Sequence, residues 1–144
     1  LFDSTTTLVR ALQPERTFWE KVMLLHEEQF RPVEKVRSPR LARHYYDLWR
    51  LIETGVADRA AADTDLFERV AKHREIYFRQ TWVDYTTLQR GSIQILPAAE
   101  QERVWRADYP AMRPSMFVEG PPGFNEILCG LTEFQEQFNG RPAT

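Results

Sequence analysis

The sequence predicts a mainly α fold, a bundle of about five helices sharing one core, with at most a short strand or two. Three observations carry that expectation. Apolar residues recur at helical spacing over long stretches, as in TFWEKVMLL (17–25) and FNEILCGLTEFQEQF (124–138). Chain breakers stand between such stretches, at Pro32 and Pro39, Gly55, Pro97, and the proline- and glycine-rich run 114–123. Finally, 144 residues that are 42% hydrophobic, 12% aromatic and 28% charged suit one domain with one core, without disordered character.

The elements follow in order. Residues 5–12, TTTLVRAL, are short and β-branched, an edge strand or linker remnant, so residues 1–13 are set apart from the helical domain at 14–139 and a tail at 140–144. Pro14 opens the first helix, where its missing N–H costs nothing, and Phe18, Trp19, Val22, Met23 and Leu25 form its inner face over 15–29. The next helix, about 40–53, buries Leu41, Tyr45, Leu48 and Ile52, and Gly55 stops it. A third, about 65–85, turns Leu66, Phe67, Val70, Tyr77, Phe78 and Trp82 inward. GSIQILP (91–97) reads as a short extended segment ended by Pro97. A fourth helix near 98–112 buries Val104, Trp105, Tyr109 and Met112, and the last, 124–138, aligns Phe124, Ile127, Leu128, Leu131, Phe134 and Phe138.

Bulk composition narrows the function classes. A single cysteine, Cys129, forbids an internal disulfide and points to a reducing cytoplasm. It falls on the polar side of its helix, with nothing nearby to activate a thiolate. No apolar run approaches a membrane span, and the N-terminus has no leader pattern. The chain begins at Leu1 rather than at Met, and is expected to be part of a longer protein. Its net charge of −2 hides an asymmetry, because residues 31–50 carry +4. That strip is either a solvated helix face or a place for phosphate.

Two residues stand out as candidates for chemistry. Lys21 falls at the edge of the first helix's apolar face, so its stem can pack while its ammonium reaches a cleft and an anion. The plainer reading pairs it with Glu20 or Glu28 on the surface. Asp47 points away from Leu48 and Ile52, with Arg43 and Arg50 as helical neighbours, and pairing with them alone would suffice as its role. A functional role needs a partner from another element, and Lys21 is the best candidate. His26 lies inside the apolar arc and reads as a hydrogen-bonded core histidine, and no His or Cys stands at zinc-ligand spacing. Asp63-Thr64-Asp65 has the spacing of a Mg²⁺-binding carboxylate pair but reads as a helix cap, with Glu68 three residues on. Gly91-Ser92 is read as a turn. Arg37 and His44 have the separation of an R-x(4–6)-H ribonuclease motif, but Pro39 lies between them, where that motif needs an unbroken helix.

TFWEKVMLLHEE (17–28) followed by RHYYDLWRL (43–51) resembles the C-terminal half of the AbiEii/AbiGii toxin family of nucleotidyltransferases. The similarity continues through VAKHREIYFRQTWVDY, GSIQILP, ADYPAMRPSMF and FNEIL, from about residue 14 to residue 139. The resemblance implies the helical C-terminal half of a polymerase-β-like nucleotidyltransferase, in which Lys21 and Asp47 match the lysine and aspartate that this half contributes. It implies Mg²⁺ and an NTP for the intact enzyme, transfer of a nucleotide to an acceptor such as RNA, and a cognate antitoxin as partner. The family's glycine-serine turn and metal-binding carboxylate pair, expected in a missing N-terminal nucleotidyltransferase domain, have no match here. Asp63 and Asp65 follow the lysine and aspartate motifs instead of preceding them, so no metal ligand is expected in this chain. Alone it should be inactive. Arg37, Arg40 and Arg43 are the residues expected to touch nucleic-acid phosphates. The competing reading is a non-catalytic helical module that binds protein or RNA, in which Lys21 and Asp47 would lie far apart.

Overall fold

The computed structural model describes residues 13–32, 41–97, 99–112 and 122–140. Among them are six α-helices and no strand. These are α1 (Pro14–Glu28), α2 (Leu41–Glu53), α3 (Val56–Ala62), α4 (Thr64–Tyr77), α5 (Ala99–Met112) and α6 (Phe124–Gly140), with one 3₁₀ turn at Tyr85–Thr87. The expected segment at 5–12 lies outside the described residues. No described helix is long and apolar enough to cross a membrane.

Helix α2 packs against α1, α3, α5 and α6, and helix α1 packs against α2, α3 and α4. The α1 contacts follow from its wide apolar face: Phe18, Trp19, Val22, Met23 and Leu25 are all fully buried. Trp19 meets Phe67 of α4 edge-on at 4.8 Å and Phe138 of α6 at 5.0 Å between ring centroids. Its indole N–H donates to the carbonyl of Ala60 at 3.1 Å, so this large ring is buried with its polar atom satisfied. Gly130 of α6 carries no side chain where Trp49 of α2 comes close; a Cβ there would stand 3.0 Å from the indole.

Three features differ from the sequence expectation. Helix α3 is an additional element. Gly55 does end α2, in the left-handed conformation at φ 88°, and the same residue starts α3. The expected third helix begins where anticipated, capped by Asp63 Oδ1 accepting from Leu66 N at 3.1 Å, but stops at Tyr77. Beyond it, side chains take over the backbone bonding. Tyr85 Oη accepts from Gln80 N and Asp84 Oδ1 accepts from Thr86 N, an alternative to helix continuation. Tyr77 and Phe78, expected inside, are 72% and 47% exposed because the helix ends under them, and Val104, also expected inside, is 57% exposed on α5. Trp82 is half-buried, with the Arg31 guanidinium 4.9 Å over its ring.

GSIQILP forms neither helix nor strand. Ile93 and Ile95 are fully buried, and side chains of α6 replace a partner strand. Asn139 accepts from Ile93 N at 3.2 Å and donates to Ile93 O at 2.9 Å, and Gln135 Oε1 accepts from Ile95 N at 2.8 Å. From α1, His26 Nδ1 accepts from Gln94 N at 2.9 Å. Buried backbone groups are thereby paired, as they must be away from water.

Candidate functional site

Lys21 and Asp47 come together. Helices α1 and α2 pack against each other, with Phe18 and Val22 of the first and Tyr45 and Leu48 of the second all fully buried. At their seam Lys21 Nζ lies 3.3 Å from Asp47 Oδ2. The second carboxylate oxygen, Oδ1, accepts from Arg43 Nε at 3.3 Å. Lys21 therefore pairs across helices and not with Glu20 or Glu28, and of the two arginines flanking Asp47 the structure pairs it with Arg43. The two side chains are 22% and 28% exposed. An ion pair this wet adds about 1 kcal/mol at most, so helix packing, not the pair, holds the geometry.

His44 completes the cluster. It sits three residues before Asp47 on α2, and its Nδ1 lies 3.4 Å from Lys21 Nζ. Burial, and then the Lys21 charge, push its pKa below the ordinary histidine value, with Asp47 acting in the opposite direction. The neutral ring is therefore favoured. Arg37, its partner in the ribonuclease spacing, lies outside the described residues, as does Arg40. Arg43 is placed at the cluster, engaged with Asp47.

Lys21 and Asp47 open onto a groove of about 400 Å³, lined further by Thr17, Arg50, Leu51 and Thr54. The charged residues lining the groove are Lys21 and Arg50 against Asp47, a net positive lining that favours an anion. A groove of similar volume runs along α4, between Glu68, Lys72 and Glu75 on one side and Tyr85 and Leu88 on the other. It holds none of the expected site residues.

Near the end of α1, Glu28 accepts from Arg31 Nε at 2.8 Å and from its Nη2 at 2.7 Å. The preceding Glu27 forms a two-pronged pair with Arg74 of α4, both bonds at 2.9 Å, with the side chains 3% and 10% exposed. This second pair is structural, a clamp between α1 and α4 reinforced by Tyr85 Oη donating to Glu27 at 3.3 Å. His26 is a core histidine, as its place on the apolar arc implies. A backbone N–H can only donate, so Nδ1 must be the acceptor from Gln94, and Nε2–H donates to Thr87 Oγ1 at 2.9 Å. Burial pulls its pKa down to about 4.

The described residues do not fit a Mg²⁺ site. Among the described residues no group of three or more His, Cys, Asp or Glu is placed to hold a metal ion. Asp63 is occupied as a cap, and the oxygens of Asp47 face cations. What sequence reasoning missed at the site are Thr17, Thr54 and the role of His44. The signal for His44 was present: it lies at i−3 from Asp47, so a partner reaching one from another helix meets both.

Residues 1–139 match a family model described as nucleotidyl transferase AbiEii toxin, type IV TA system. No curated protein and no solved structure matches the chain.

Proposed function

Because the chain belongs to the AbiEii nucleotidyl transferase toxin family of type IV toxin–antitoxin systems, we propose that it supplies the phosphate-binding side of a nucleotide-transfer site. An acceptor hydroxyl, on RNA in this reading, bonds to the α-phosphorus of an NTP as the bond to the β-phosphate breaks and pyrophosphate leaves. The observation that carries the proposal is the 3.3 Å approach of Lys21 and Asp47, two residues 26 positions apart on different helices, at the mouth of a groove.

The chemistry follows from the charges. A triphosphate needs its negative charge matched, and Lys21 offers a compact cation with several donors. A charge-assisted hydrogen bond from it is worth about 1.5–3 kcal/mol, less where water competes. Asp47 holds the ammonium in place, and Arg43 holds Asp47 in turn. Arg50 keeps the groove net positive, so the incoming anion is attracted despite the carboxylate. Nucleotidyl transfer also needs Mg²⁺ held by carboxylates. These residues do not supply them, and on this reading they come from outside the chain. The 144 residues alone are then catalytically silent, and act in the cytoplasm where NTP and RNA are found. A cognate antitoxin is the partner that a type IV toxin family implies.

The binding-module reading expects Lys21 and Asp47 apart, and their contact counts against it. The test is Lys21→Ala in the full-length protein as its gene encodes it. Transfer of label from an NTP to RNA should fall by about a hundredfold, whereas unchanged transfer overturns the proposal. The isolated chain, given labelled NTPs, Mg²⁺ and total RNA, should transfer none.

A further inference from the structure

We infer that His44 is a positioning residue for Lys21, its ring nitrogen and the Asp47 carboxylate together aiming the ammonium at the groove. The inference rests on the phosphate-binding reading of Lys21 and assigns a role to a residue outside the lysine–aspartate pair.

The geometry carries it. Lys21 leaves α1 and must cross to α2, where two acceptors sit one helical turn apart on the same face. Asp47 Oδ2 is 3.3 Å and His44 Nδ1 is 3.4 Å from the ammonium nitrogen. An ammonium has three donors and no acceptor. Two are directed at α2, and the third is left for a ligand in the groove. One acceptor alone would let the flexible four-carbon stem rotate, and two from a rigid helix fix its tip. Since the ammonium can only donate, His44 Nδ1 must carry a lone pair, which requires the tautomer protonated at Nε2.

The electrostatics keep that lone pair available. The charged groups facing His44 are Lys21 and Glu28 from α1, and Arg43 and Asp47 from α2. Burial and the neighbouring Lys21 charge outweigh the two carboxylates and favour the neutral ring. Two carboxylates on the lysine would bind it more tightly, but would cancel its charge and repel phosphate. A neutral acceptor beside a single carboxylate positions the lysine without adding negative charge. Protonating His44 would remove the acceptor and set a second cation against the first.

The experiment is a double-mutant cycle on nucleotide transfer in the full-length protein, with NTP affinity measured alongside. His44→Phe keeps the ring's bulk and removes the acceptor, and it should lower both quantities about tenfold. His44→Asn restores a neutral acceptor and should stay within about threefold of wild type. In a Lys21→Ala background, His44→Phe should cost nothing further. If Lys21→Ala is damaging while His44→Phe is silent, or if His44→Phe costs as much without Lys21 as with it, this inference fails and the phosphate-binding reading stands. If Lys21→Ala is itself without effect, both fall. Wild-type protein gives a check that needs no variant to fold. The NMR shift of the Lys21 side chain should step at the pH where His44 titrates, and a featureless lysine signal through that titration overturns the inference.

Discussion

Lowering the pH should unfold this protein in part through His26. The ring is fully buried, with both nitrogens committed to a neutral tautomer between Thr87 and Gln94. Its pKa drops from the ordinary 6.5 to about 4 because burial penalises the charged form. Above about pH 6.5 both folded and unfolded states are neutral, and the residue adds no pH dependence. Below it the unfolded chain takes up a proton that the folded state resists, so stability falls until the pH passes the folded value. Between about pH 7.5 and about pH 5 the loss from this residue works out at about 2 kcal/mol. Urea unfolding followed by tryptophan fluorescence, on wild type and His26→Gln, isolates that share. Groups titrating in both proteins cancel, including His44. The variant starts less stable at neutral pH, and the gap should narrow by about 2 kcal/mol at the acid end. Parallel stability curves across that range would refute the reasoning.

Two further outcomes test the frame that places the site. Glu27→Gln leaves the Arg74 guanidinium buried without its counter-charge, and should cost about 3–5 kcal/mol in urea unfolding, whereas Glu27→Leu with Arg74→Met should recover most of it. Asp63→Ala removes the oxygen that accepts from Leu66 N and should cost about 1 kcal/mol; a larger loss would mean Asp63 does more than cap.

Helical periodicity made most of the fold legible, because a helix that buries one face must repeat apolar residues at that spacing. Phe18, Trp19, Val22 and Met23, or Phe124, Ile127 and Leu131, could hardly pack otherwise. Helix α3 escaped because VADRAAA buries alanines, whose small side chains leave little periodic signal. Tyr77, Phe78 and Val104 were read as inward-facing members of their helices. Whether a large apolar side chain at a helix end is covered depends on what lies across from it, which periodicity does not report. Segment 91–97 was legible as a break between helices, but its anchors, Asn139 and Gln135, lie some 40–46 residues away in sequence.

At the site, the wheel position of Lys21 and the solvent-facing side of Asp47 were legible separately. Their meeting depended on how α1 docks on α2, which the family resemblance implied and single-helix reasoning could not. Of the basic residues expected to touch phosphate, Arg43 is accounted for by Asp47, while Arg50, read only as a helical neighbour of that carboxylate, lines the groove.

The proposed function requires Lys21 to bind phosphate. Calorimetric titration of an NTP into the full-length protein, wild type against Lys21→Met, measures this without requiring turnover. Methionine preserves the packed stem and removes only the charge, and the affinity should weaken by about tenfold or more. Equal affinity in the two proteins would contradict the account.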